Sequence, residues 1–290
     1  MIKSLMQKIP VVILLCIIQI ILVCFCAHKM KGKIYYALLI GGGVTERDNF
    51  ESYYKNIEYV SNILKKIGYC DKDIKILFYK GNTPYHPLVE SEATKENFIN
   101  ELRELANIID SNDSLLIFRS GHGKVDLVFD KFANNRHGLG IESVKCIGTI
   151  SFMRFPDGDI SHLEFQEILK NIGAKQIVVI LNQCFAGQFA DITESLNNTV
   201  AISETDKSEF AINDLRRKSD EWAFVKCLFD GFLQNGTKGQ KQSVYNAFQY
   251  MLRCNPCIEG IPVQADRPLL KEHPQIKYGS ELEKGSVYID

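Results

Sequence analysis

The sequence predicts an α/β fold: a mostly parallel central sheet of about six strands with helices on both faces. Residues 114–119 (SLLIFR) and 176–181 (QIVVIL) are apolar runs of strand length, as strands buried on both faces are. Between such runs the apolar residues recur at helical spacing, so strands and helices alternate. Right-handed crossovers between successive strands then make the sheet parallel.

The elements follow in order. Residues 34–40 (IYYALLI) form the first strand, and Gly41, Gly42 and Gly43 the turn out of it. Three glycines there can cradle phosphate, but neither GxGxxG nor GxxxxGK[ST] is present, so tight-turn geometry is the better reading. From Phe50 the apolar residues fall at 50, 53, 54, 57, 60, 64 and 67, one helical face closed by Gly68. Residues 73–79 make a second strand. A polar loop with Pro84 and Pro87 leads to a helix striped by Phe98, Leu102, Leu105 and Ile109, and the third strand follows at 114–119.

Residues 124–160 interrupt the alternation with two short apolar runs separated by Asn134 to Gly138, a hairpin expected beside the site. Asp157 to Glu164 resembles half of a calcium loop, yet Met153 and Phe155 stand where its first carboxylates belong. Ser161 and Glu164 instead make a capping box for a helix striped by Phe165, Ile168, Leu169 and Ile172. The strand at 176–181 comes next, then a fifth at 199–203 and a polar loop at 204–209. Two last helices carry Trp222, Val225, Phe229 and Phe232, and Val244, Phe248 and Met251.

At 290 residues, 46% hydrophobic and 24% charged, the chain buries a full core, as one domain of roughly 250 residues would. Its 34 basic and 35 acidic residues nearly cancel, with no basic run, so nucleic acid is not an expected partner. Residues 1–27 are set apart: Lys3 and Lys8 precede an apolar segment from Val11 to Phe25, which reads as a secretion signal or as a membrane attachment through residues 11–26. The remainder, 28–290, is then secreted or membrane-anchored, outside the cytoplasm. Of nine cysteines, Cys16, Cys24 and Cys26 fall in that segment. If Cys184 is a free thiol, Cys70, Cys146, Cys227, Cys254 and Cys257 remain, an odd number that argues against a fully paired framework. Cys254 and Cys257 have CxxC spacing, read as local structure such as a disulfide, since no second CxxC completes a zinc site.

The chemistry lies at two strand ends. The run at 176–181 stops at Asn182, Gln183 and Cys184, and the run at 114–119 stops at Ser120, Gly121, His122 and Gly123. In open parallel sheets, chemistry sits beyond the carboxyl ends of the strands, so this thiol and imidazole are expected neighbours. Together they make a nucleophile and its general base. The backbone N–H groups of Gly123 and Cys184 are the expected oxyanion hole. Neither metal nor organic cofactor is required.

The order His-Gly after one strand, then an apolar strand ending in Cys184-Phe185-Ala186-Gly187, resembles the caspase-like cysteine peptidases, and within them the legumain-like peptidase C13 family. Residues 200–211 resemble that family's strand and loop beyond the nucleophile, Asp220 to Trp222 its next helix start, and His273 to Ile276 a tail of some members. The resemblance spans about residues 34–280. It implies a caspase-like three-layer sandwich and a cysteine endopeptidase with His122 and Cys184 as its dyad, acting on a peptide or protein substrate through a thioester acyl-enzyme. The family's substrate-binding positions map onto Ser52, Asn182, Ser208 and Glu221. Two are changed, so cleavage after asparagine is not implied. Arg47 and Arg119 are cations that could meet a substrate, although an arginine on a sheet face is more often paired structurally. A transpeptidase of the same fold, a catalytically silent binding module, and a nucleotide-binding protein using the glycine turn are the alternatives.

Overall fold

A computed structural model describes residues 32–81, 86–130, 145–212, 223–234, 243–260 and 271–289. Residues 1–27, read above as a signal or an anchor, the hairpin tip, Trp222 and Glu221 lie outside the described residues. The compact unit is Tyr35–Asp290.

Its main sheet holds β1 (Tyr35–Gly42), β2 (Ile74–Phe78), β3 (Ser114–Gly121), β7 (Gln176–Asn182), β8 (Thr199–Ser203) and β9 (Gln275–Tyr278), in the order β2-β1-β3-β7-β8-β9. All neighbours are parallel except β8 and β9. A second, three-stranded sheet, β4 (Gly123–Asp130), β5 (Lys145–Phe155) and β6 (Gly158–Ser161), is antiparallel. It is the expected excursion, lengthened by a third strand. The helices are α1 (Glu51–Lys66), α2 (Lys95–Ile108), α3 (His162–Leu169), the short α4 (Gly187–Asp191), α5 (Ala223–Gln234) and α6 (Val244–Cys254).

Strand side chains alternate between faces, and the two faces meet different helices. Ala37, Leu39, Leu116, Phe118, Val178, Ile180, Val200 and Ile202 join one core with residues of α1, α5 and α6. On the opposite parity, Leu38, Ile40, Leu115, Ile117, Ile177, Val179 and Leu181 are also buried. Phe98 of α2 packs against Phe165 of α3 and Phe155 of β5 on that side. The result is the expected three-layer sandwich with a mostly parallel sheet.

Several local readings resolve here. Ser161 caps α3, accepting from the Glu164 N–H at 3.0 Å, but the Glu164 carboxylate pairs with Lys95 instead of closing the box. Asp157 caps α2 by accepting from the N–H groups of Lys95 and Glu96, so its carboxylate is committed to a helix start. The CxxC reading is corrected: Cys254 is bonded to Cys227, joining the end of α6 to α5, while Cys257 is a buried thiol outside that disulfide. Helix packing, which no cysteine spacing reports, brings that pair together.

Candidate active site

Register places the two candidate catalytic residues. In the β3/β7 pairing, Arg119 stands opposite Leu181 and Ser120 opposite Asn182. His122 and Cys184 therefore each lie two residues beyond paired residues of adjacent parallel strands. Gly123 confirms the proximity: a Cβ on it would overlap the Cys184 carbonyl oxygen, so only glycine fits. In the antiparallel ladder of β4 and β5, Gly123 pairs with Met153, while the Arg154 N–H donates to the His122 carbonyl at 3.1 Å. That pattern makes Gly123 a non-hydrogen-bonded pair whose own N–H points out of the ladder.

The glycine turn after β1 orients the imidazole. A Cβ on Gly43 would overlap the backbone of Asp48 and Asn49, so the chain can double back there only through glycine. The turn's N–H groups are spent internally: Gly43 donates to Asn49 Oδ1 at 3.0 Å, and Val44 and Thr45 to Asp48 Oδ1 at 2.8 and 2.7 Å. Burial acts to raise the Asp48 carboxyl, but these N–H groups and His122 outweigh it and hold the pKa below its ordinary value. The phosphate-cradle alternative loses its donors. The same turn carries the Asp48 carbonyl to within 2.9 Å of His122 Nε2. A carbonyl only accepts, so Nε2 bears a hydrogen and Nδ1 is the basic nitrogen. Tyr53 Oη lies 3.3 Å from Nε2, and the rings of Tyr53 and Phe50 stand edge-on to the imidazole. Phe50 is 48% exposed, forming an open aromatic wall beside His122.

Cys184 sits in the turn between β7 and α4, followed by Phe185 with φ +56, a left-handed conformation unusual for a large side chain. The Phe185 N–H donates to the Glu209 carbonyl at 2.7 Å. Phe185 stacks edge-on against Phe210, with centroids 4.7 Å apart. The loop after β8 thus lies over Cys184, and Gly187 lets it approach, since a Cβ there would overlap Lys207 N. From this loop the Ala211 N–H donates to Cys184 Sγ at 3.3 Å. Burial pushes the Cys184 thiol up, the Ala211 N–H pulls it down, and Glu272 pushes it up again; the balance is upward.

A buried polar network lies beneath the dyad. Asn182 Oδ1 accepts from Asn56 Nδ2 at 3.0 Å and Ser120 Oγ at 2.5 Å, while its Nδ2 donates to Glu204 Oε2 at 2.6 Å. Both ends of this amide are used and Asn182 is 1% exposed, so it braces β3, β7 and α1 from below. Glu204 Oε1 is buried with no donor. Glu204 interacts with Glu272, and two carboxyls bond only if one keeps a proton. Burial is the main cause of the raised pKa of both, with Glu272 pushed up to about 7 and Glu204 raised well above its ordinary value, further raised by Glu272. Glu272 also accepts from the Ile212 N–H at 2.6 Å and Asn255 Nδ2 at 3.1 Å, fastening the loop end to the C-terminal segment.

The predicted site residues are thus distributed unevenly. His122, Gly123 and Cys184 converge. Ser208 is exposed in the loop over the thiol, Ser52 is half-buried on α1, and Glu221 lies outside the described residues. Sequence reading missed the Asp48 carbonyl and the Ala211 N–H, which are backbone groups that leave no residue signature. It also missed Asn56 and the Glu204–Glu272 pair; a polar residue inside the apolar stripe of α1 was a usable signal for the first.

Comparison with known families adds one match: the metacaspase, peptidase C14 domain model covers residues 36–193, a span that holds His122 and Cys184. A search of curated proteins finds no match.

Proposed function

The chain belongs to the metacaspase, peptidase C14 domain family, and from that premise we propose that this cysteine peptidase of caspase-like fold is an endopeptidase acting through Cys184 and His122. The observation that carries the reading is the β3/β7 register, which sets the imidazole and the thiol two residues beyond Ser120 and Asn182. His122 Nδ1 takes the thiol proton as Sγ attacks the scissile carbonyl. The N–H groups of Gly123 and Cys184 stabilise the oxyanion. His122 then gives the proton to the leaving amine, a thioester remains on Sγ, and water activated by the same imidazole releases the acid and the free thiol.

The substrate is a peptide or protein chain. Among the described positions mapped as substrate-binding, Ser208, exposed on the loop over Cys184, is the best placed, and Ser52 and Glu221 complete the proposal. Asn182 acts through the network beneath. The finer kinship with the legumain-like family rests on residues 200–211 beyond the nucleophile, outside the matched span. A catalytic domain outside the cytoplasm is supported by the Cys227–Cys254 disulfide, which oxidising compartments favour. Among the described residues no helix is long and apolar enough to cross a membrane.

The test is mass-spectrometric profiling of a diverse peptide pool with residues 27–290, comparing the wild type with Cys184→Ala and His122→Ala. Cleavage by the wild type alone supports the reading, and the cut sites give the preferred residue directly. Ligated products would redirect it to transpeptidation. No cleavage, with no labelling of Cys184 by a thiol-directed peptide probe, would refute it.

A further inference from the structure

Arg119 is the outlier of the β3 run. It shares a sheet face with Leu115 and Ile117, is 2% exposed, and bonds to no carboxylate among the described residues. Asp159, the acid that acts on it electrostatically, is paired instead with Lys124 and Arg154. Burying a cation this way is costly, and an aliphatic residue would pack on this face without that cost. Burial holds the guanidinium pKa down at about 10, so it is still a cation at neutral pH.

The hydrogen bonds of this cation go to the residue before Cys184 and to the strand that holds the His122 carbonyl. One guanidinium nitrogen donates to Gln183 Oε1 at 2.5 Å, on the residue immediately before Cys184. The other donates to the Arg154 carbonyl at 2.6 Å, and the Arg154 N–H in turn holds the His122 carbonyl at 3.1 Å. The group lies 5.1 Å from the Phe155 ring centre, and Gly121 leaves room for it: a Cβ there would stand 3.3 Å from both terminal nitrogens. Gln183 is fixed on its other side, its Nε2 donating to the Phe152 carbonyl at 3.4 Å and its own carbonyl accepting from Thr205 Oγ1 at 3.2 Å. The chain of contacts runs His122, Arg154, Arg119, Gln183, Cys184.

We propose that Arg119 is a positioning residue: its guanidinium clamps the ends of β3, β5 and β7 together and fixes the separation across which His122 takes the Cys184 proton. The planar fork suits this task because it serves acceptors on two strands at once, which an ammonium does with less geometric control. The inference deepens the peptidase reading and rests on it.

The test therefore includes a measurement that needs no substrate. The rate of Cys184 alkylation by iodoacetamide is followed against pH in the folded chain, beside kcat and KM on a peptide the wild type cleaves. Arg119→Met is expected to lower kcat about 10- to 100-fold with little change in KM, the size of effect that misplaced catalytic groups produce. Its alkylation profile should shift by about one pH unit towards that of an isolated buried thiol. Arg119→Lys should recover part of both. Gln183→Leu should reproduce the loss, Gln183→Glu should keep the clamp through an ion pair, and the double variant Arg119→Met/Gln183→Leu should be no worse than either single one. A wild-type profile and kcat in folded Arg119→Met, or single effects that multiply in the double variant, would overturn the proposal. If Arg119→Met does not fold, Gln183→Leu decides alone, a wild-type profile there being the refuting result. Should the wild type cleave nothing, the peptidase reading falls while the alkylation arm still judges the clamp.

Discussion

Replacing Glu204 with Gln tests the carboxyl pair under the nucleophile. Glu204 and Glu272 are both fully buried, and the raised pKa of each means the folded chain keeps protons that the unfolded chain releases near pH 4.5. The unfolded state then binds fewer protons, so stability is greatest below that pH and falls as pH rises. Glu272, pushed from 4.5 to about 7, loses about 3 kcal/mol across that window at about 1.4 kcal/mol per unit. Glu204 adds a loss of the same sign. A glutamine at 204 keeps an acceptor for Asn182 Nδ2 and offers Glu272 a donor, as the protonated acid does, yet cannot ionise. The variant should therefore lose only the Glu272 share, and be more stable than the wild type at pH 7.5 relative to pH 5. Urea unfolding at half-unit steps from pH 5 to 8 measures both slopes. A wild-type stability that is flat over this range, or a variant slope as steep as the wild type, would refute a pair that shares protons.

Other outcomes are expected from the same geometry. Ala211→Pro removes the N–H that donates to Sγ, so alkylation of Cys184 at pH 8 should slow several-fold, as loss of a bond of about 1 kcal/mol implies. Gly123→Ala meets the Cys184 carbonyl and should cost about 1–3 kcal/mol of stability in thermal melts, with peptide cleavage lost in whatever remains folded. Paired Cys227→Ser and Cys254→Ser changes should lower stability by about 2–4 kcal/mol, read from unfolding midpoints with and without reductant. His122→Ala should reduce kcat about 100- to 10,000-fold with an unchanged melting temperature, since its ring stands against partly open Phe50.

What could be read from the chain was local. Periodicity located β1, β2, β3, β7, β8 and the main helices, because strands and helices impose different spacings on whichever residues must face the core. The run ends after Arg119 and Leu181 marked His122 and Cys184, because a buried run that breaks into polar and small residues is near the carboxyl end of its strand. Three elements were not legible. α4 and β6 are only five and four residues long, and β9 lies in a polar tail, its four residues half-buried at the sheet edge, so none carries a pattern of its own. The glycine turn read as tight-turn geometry, but only the structure shows the side chains of Asp48 and Asn49 taking its N–H groups.

By itself, the sequence determined the alternation of elements and the parallel sheet, and it singled out His122 and Cys184 as candidates for nucleophilic chemistry. Tertiary structure alone decided which partners they meet. The bond from His122 to the Asp48 carbonyl joins residues 74 apart, that from Ala211 to Cys184 spans 27, and the pairing of Cys254 with Cys227 rather than its near neighbour also spans 27. Spacing along a chain reports which face a side chain turns to, but an acceptor, a counter-charge or a thiol partner is chosen by what the packed elements bring within about 3 Å.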